Sequence, residues 1–192
     1  MTNLLLFLSA LALELLYLAL FVLTIKRPSF RFWPPPSARS WQFLAAWIIA
    51  LLVGIIFLFL GFLDFESFIL PPFWSRLPVA LAISIPGVII GSWASAVFPF
   101  RATLGLGDKL ITAGPYRYSR NPQYICDSLQ IIAYFWLTNS WMVGVLGMLG
   151  VTLNLLAPFT EEPWLEERFG ASYLEYRRRV PRFIGCGKGD EV

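Results

Sequence analysis

Apolar residues fall in five long runs along the chain, at 4–23, 43–63, 77–98, 124–137 and 141–159. A helix crossing the hydrocarbon core needs about 20 such residues, and the first three runs meet that length. Glu14 alone interrupts the first, the second carries no charge, and Pro86 lies inside the third. The fourth run covers only roughly 21 Å as a helix. The polar triplet Thr138-Asn139-Ser140 separates it from the fifth, so the last two runs predict a tight helical hairpin. The first run lacks a basic start, is too long for a cleaved leader and is followed by basic residues, which predicts a retained span.

Cytoplasmic loops of membrane proteins carry an excess of Lys and Arg, and here the basic residues alternate from loop to loop. Lys26, Arg27, Arg31 and Arg39 follow run one, whereas only Arg76 follows run two, beside Asp64 and Glu66. Arg101, Lys109, Arg117 and Arg120 follow run three; Arg168, Arg177, Arg178, Arg179, Arg182 and Lys188 follow run five. Five spans with the N-terminus outside put every basic residue except Arg76 in the cytosol, and one span more or fewer breaks this pattern. Small residues at Gly87, Gly91 and Ser95 form one stripe on the third span, and Gly144, Gly147 and Gly150 another on the fifth. Such stripes let membrane helices approach closely. Pro86 predicts a kink that neighbouring helices compensate.

Composition agrees with lipid as the solvent: 57% of the 192 residues are hydrophobic and 14% charged, against about a quarter charged in soluble domains. The chain has no histidine, which removes imidazole bases and His-ligated zinc or haem. Cys126 and Cys186 have no metal-type spacing and predict no structural disulfide. The expected fold is an all-α polytopic membrane protein with five transmembrane helices, the last two a short hairpin, plus a cytosolic amphipathic C-terminal helical segment.

Two predicted cytosolic segments are more polar than topology requires. In residues 105–124, Gly114-Pro115 and Asn121-Pro122 are turn signals. Pro122 suits the first position of the fourth helix with Asn121 as its N-cap. The free N–H groups and positive dipole end of such a start attract a carboxylate, and Arg120 adds a cation that can grip one bidentately. After the fifth run, Glu161 and Glu162 stand where the span meets water, and Pro163 reads as a helix start. Leu165, Phe169, Tyr173 and Tyr176 share one helical face, with Gly170 placed to break it. That face predicts an amphipathic segment on the membrane, with Arg177, Arg178 and Arg179 meeting anionic head groups. Glu161 and Glu162 are either a solvated acidic start or a site for a cationic amine. Asp127 either serves chemistry, as buried membrane acids do, or reaches the nearby interface. Glu14 either pairs across helices or lines a cavity.

Taken in order, Gly114-Pro115-Tyr116-Arg117-Tyr118-Ser119-Arg120-Asn121-Pro122-Gln123-Tyr124, then Glu161-Glu162, then Phe169-Gly170-Ala171-Ser172-Tyr173-Leu174-Glu175-Tyr176 and Val180-Pro181-Arg182 resemble a known family. It is that of the integral-membrane methyltransferases, which includes isoprenylcysteine carboxyl methyltransferase and the phospholipid N-methyltransferases. The resemblance covers about the C-terminal half. It implies one membrane domain over 1–192, with three spans in 1–99 and the cofactor loop, hairpin and C-terminal segment in 100–192. It implies S-adenosylmethionine as cofactor, bound on the cytosolic side. Arg120 and the helix start at Asn121-Pro122 would hold its carboxylate, and Glu161 or Glu162 its ammonium. Lys109, Leu110, Ile111, Thr112, Gly114, Pro115 and Tyr116 would supply contacts to the adenine, and Tyr124 would wall the pocket. Tyr173, Tyr176 and Arg177 would meet the substrate. Asn121 stands where the carboxyl methyltransferases usually carry histidine and the phospholipid enzymes asparagine, while the Phe169-to-Tyr176 pattern points to the isoprenylcysteine branch.

The implied reaction is displacement of a sulfonium methyl onto a lipid or lipidated nucleophile, with positioning supplying most of the acceleration. Arg120, Glu162 and Asp127 are the candidate catalytic groups. Glu162 or Asp127 would be the base for an amine acceptor. The expected partners are the bilayer and that acceptor, with neither metal nor nucleic acid implied. The rival classes are an NADPH-dependent membrane reductase, related in C-terminal architecture, and a non-catalytic membrane scaffold or small transporter.

Overall fold

The computed structural model describes residues 1–27, 29–97, 100–107 and 109–184, with the side chain of Phe100 left aside. The predicted Cys186 and Lys188, and the end of the third run at Phe98, lie outside the described residues. Among the described residues the elements are helical throughout: α1 (Thr2–Lys26), α2 (Trp41–Leu63), α3 (Phe73–Val97), the short α4 (Phe100–Thr103), a 3-10 turn (Gly114–Arg117), α5 (Pro122–Thr138), α6 (Trp141–Phe169) and α7 (Ala171–Arg179). Four of them, α1, α2, α3 and α6, are long and apolar enough to cross a membrane, and the chain is an integral membrane protein. The sequence predicts five spans; α5 has 17 residues, roughly 26 Å of helix, and falls short of the other four.

Local chemistry sets the helix ends. The Ser40 and Ser140 hydroxyls accept from the Phe43 and Val143 N–H groups at 3.2 and 3.1 Å, capping α2 and α6 as serine does at an N-cap. Between α5 and α6, Asn139 takes φ 52°, a left-handed conformation that Asn tolerates better than most residues. Its side chain donates to Glu66 Oε2 at 2.7 Å and accepts from the Leu70 N–H at 3.1 Å. Arg76, wholly buried, pairs with Glu66 and donates to the Trp136 and Leu137 carbonyls at 3.1 and 3.3 Å. Those carbonyls belong to the last turn of α5, where a cation is favoured. Ser140 adds a 2.6 Å bond to Asp64. One end of the bundle is thus fastened by charged and amide groups that the sequence shows only as a sparse loop.

The small-residue stripes form helix contacts as predicted. A Cβ on Gly87 would come within 2.4 Å of Gln130 Nε2, and one on Gly91 within 3.0 Å of the Cys126 sulfur, so α3 lies against α5. Gly144, Gly147 and Gly150 similarly receive Phe135 and Ile131 of α5.

Two expectations are corrected. Pro163 does not start a helix; α6 runs unbroken through Pro158 and Pro163 to Phe169. An interior proline costs about 3 kcal/mol. Here that cost is offset by buried neighbours, with Ala157, Pro158, Thr160 and Glu162 all packed inside. The break comes at Gly170, φ 52°, a positive φ that suits glycine. The apolar face of the C-terminal segment does not lie free for lipid. Tyr173, Tyr176 and Val180 form a buried cluster with Leu110, Leu165 and Phe169, so the segment folds back onto the chain's own loop.

Candidate functional site

At the end opposite the Arg76 network, the loop before α5, the last turns of α6 and all of α7 converge. A strap made by residues 180–182 crosses the start of α5. The Arg120 N–H donates to the Pro181 carbonyl at 2.9 Å, and Asn121 Nδ2 and the Ser119 hydroxyl donate to the Arg182 carbonyl at 2.9 and 3.3 Å. The Tyr176 hydroxyl donates to the Tyr116 carbonyl at 2.7 Å. Asn121 occupies the N-cap position with Pro122 next, but its side chain makes no capping bond. The predicted side-chain cap is therefore replaced by a tie to the strap.

Arg120 and Glu162 form an ion pair at 3.0 Å, each side chain about nine-tenths buried. Arg182 closes on the same carboxylate with two bonds, 2.8 and 2.7 Å, and lies over the Phe159 ring at 3.9 Å. The bonds to Glu162 raise the pKa of Arg182, so it is a fixed cation. Arg120 Nη1 also lies 3.2 Å from the Tyr173 hydroxyl, while its Nε is buried with no hydrogen-bond partner among the described residues. Burial pushes Tyr173 up to about 12 and raises Tyr116 and Tyr176 further. All three are uncharged hydroxyls at neutral pH.

Glu161 points elsewhere. Its Oε1 accepts from Trp33 Nε1 at 2.6 Å and from the Tyr124 hydroxyl, and Tyr124 also meets Trp33 at 3.2 Å. The adjacent acids thus divide: Glu162 is held by two arginines and Glu161 by two neutral donors. Both line one cavity of about 680 Å³, within the size range of small-molecule sites.

Of the residues singled out from sequence, Lys109, Leu110, Ile111 and Tyr116 line this cavity from the loop. Arg120, Asn121, Tyr124 and Asp127 line it from the start of α5, and Tyr173 and Tyr176 from α7. Thr112, Gly114, Pro115 and Pro122 stand outside its wall, and so does Arg177, which is exposed and pairs with Glu166 at 2.7 Å. Asp127 takes a weak 3.5 Å bond from the Cys126 thiol. Sequence reasoning did not single out Trp33, Tyr17, Asn154 or the site role of Arg182. Arg182 sat inside the recognised Val180-Pro181-Arg182 ending, and Trp33 in the proline-rich loop after α1. Among the described residues no cluster of three or more His, Cys, Asp or Glu side chains forms a metal site.

The resemblance read from the motif is borne out by comparison with known proteins. Residues 78–172 match the phospholipid methyltransferase family model, a stretch that contains Arg120, both glutamates and the hairpin. Two curated proteins are similar over part of the chain. One is the steroid 5-alpha-reductase DET2 of Solanum lycopersicum, 26% identical over 58% of this chain and 44% of that protein. The other is the cobalt-zinc-cadmium resistance protein CzcN of Cupriavidus metallidurans, 29% identical over 56% of this chain and 50% of that protein. The chain spans about half the length of these relatives. No solved structure matches.

Proposed function

We propose that this chain, whose residues 78–172 match the phospholipid methyltransferase family model, transfers a methyl group from S-adenosylmethionine to a lipid or lipidated acceptor at the cytosolic membrane face. The observation that carries the reading is the meeting of opposite charges in one cavity: Arg120 with an unanswered buried Nε, and Glu161 facing the same space. A zwitterion with a carboxylate and an ammonium answers both. The carboxylate meets Arg120 Nε and the free N–H groups at the start of α5, left open because Asn121 does not cap them. The ammonium meets Glu161, held in place by Trp33 and Tyr124. Of the two glutamates the motif offers for the ammonium, Glu161 takes it in this reading, and Glu162, held by Arg182, orients the Arg120 guanidinium.

The cofactor supplies an activated methyl. The protein's part is to position it and to keep the cavity dry beneath α7 and the strap. Tyr17, Trp33 and Tyr124 put aromatic rings on the wall, surfaces that favour a cationic centre. Asp127 stands on the wall within α5 and can take a proton from an amine acceptor. The acceptor arrives from the bilayer side, where α1 and α2 supply an apolar wall.

The test is incubation with methyl-labelled S-adenosylmethionine and a total lipid extract, with identification of the labelled product. It is paired with calorimetry of S-adenosylhomocysteine binding in detergent. Arg120→Ala and Glu161→Gln should each weaken binding about tenfold or more, the loss of one charge-assisted contact. Wild-type affinity in both would end this assignment. A reductase reading draws on the similarity to DET2; thermal stabilisation by NADPH but not by S-adenosylhomocysteine would favour it.

A further inference from the structure

The cavity has a second polar end. Glu14 of α1 lines it, is 5% exposed, and its Oε2 is buried with no hydrogen-bond partner among the described residues. A Cβ on Gly150 would lie 3.9 Å from Glu14 Oε1, which sets the depth. Gly150 precedes Glu161 by eleven residues of the same helix, roughly 16 Å along the axis. Around this depth the wall includes Phe57, Val53, Leu146 and Leu153, with the polar groups of Tyr17 and Asn154 one turn nearer the mouth. The space stays open there, since a Cβ on Gly54 would meet nothing within 4 Å. Among the described residues the lining cations are Lys109 and Arg120, on the loop and the start of α5 at the mouth.

A carboxyl in such a wall offers several hydrogen-bonding positions, and a buried polar group left unanswered is destabilising. A saturated acyl chain would lay methylenes against it and recover none of that. A cation would have to shed its hydration among hydrocarbon side chains, whereas a hydroxyl costs far less to bring in. We propose that Glu14 reads a hydroxyl on the membrane-buried part of the methyl acceptor, which is therefore an apolar molecule with a hydroxyl group rather than a plain diacyl lipid. This deepens the methyl-transfer reading and rests on it for the acceptor's role.

The experiment uses the full chain in lipid nanodiscs, with tryptophan fluorescence, to which the cavity-lining Trp33, Trp47 and Trp164 contribute, as the signal and empty discs as reference. The probes are farnesol, its matching hydrocarbon farnesane, and farnesylamine. Wild-type protein should bind farnesol about tenfold more tightly than farnesane, the equivalent of one recovered hydrogen bond. Glu14→Leu or Glu14→Ala should each bring the two within about twofold, and either variant suffices if the other fails to fold. Equal binding of the two probes by the wild type, an intact preference in a folded variant, or tighter binding of farnesylamine would each overturn the proposal. S-adenosylhomocysteine affinity, read on the same variants, should stay at the wild-type value. If the wild type itself failed to bind that ligand, methyl transfer would fall while the Glu14 measurement stood on its own.

Discussion

Truncating Arg182 to alanine removes one of the two cations that close on Glu162. With both present the cluster carries one net positive charge; with Arg120 alone it is neutral. A ligand carboxylate at Arg120 would then lose a second cation, which stands beyond Glu162 (3.0 Å from Arg120, 2.7 Å from Arg182) and is taken as about 8 Å away. At that separation the charge is worth about 0.5 kcal/mol in bulk water and about 2 kcal/mol at an effective dielectric of 20. The Arg182 side chain is 31% exposed, so the expected loss lies between those limits, about 2-fold to 30-fold in affinity. The assay is calorimetry of S-adenosylhomocysteine at low and at high salt. The Arg182→Ala deficit should shrink with salt as screening removes the same term. Arg182→Lys should sit between wild type and alanine, because it keeps the charge but not the fork. Unchanged affinity in Arg182→Ala at low salt, alongside abolished binding in Arg120→Ala, would refute the electrostatic reasoning and leave Arg182 as a strap residue only.

Other perturbations probe separate parts of the molecule. Gly87→Leu should lower the thermal midpoint in detergent by separating α3 from α5 and displacing Gln130 from its 2.9 Å bond to the Ser84 carbonyl, an overpacking cost of about 1–3 kcal/mol. Arg76→Ala should destabilise by about 1–3 kcal/mol, because the Trp136 and Leu137 carbonyls lose their donor while Glu66, 39% exposed, turns to solvent, and S-adenosylhomocysteine affinity of the folded fraction should stay unchanged. Burial lifts Tyr173 from 10.0 to about 12, so its contribution to stability is complete below pH 10 and is lost as pH rises through 12. The stability gap between wild type and Tyr173→Phe should therefore narrow in alkaline unfolding curves from pH 10 upward; a gap that is flat across that window would contradict the burial of this hydroxyl.

The long helices were legible because lipid imposes a length on apolar runs: 4–23, 43–63 and 77–98 correspond to α1, α2 and α3. The hairpin followed from three polar residues at 138–140. The convergence of the loop, Glu161 and α7 on one cavity was legible only through the family resemblance, since residues 40 positions apart share no periodicity. The allocation of the two glutamates was not legible. Neighbouring helical residues point about 100° apart, and the phase of α6 depends on its running through Pro163, against the local rule that proline opens a helix. Arg182 escaped for a related reason: its partner lies across the break at Gly170, and pattern reading stops at breaks. Glu14 could be flagged as costly in lipid, but its neighbour Gly150 carries no side chain to advertise a contact.

The Arg76 network has a mechanical consequence. It ties the 64–70 connection, the first turns of α3 and the α5–α6 turn into one knot at a single end, so the helices are pinned like the closed end of tweezers. Any splay of the helices about that fulcrum would be least at the knot and greatest at the far end, where the site is held together by α7 and the 180–182 strap.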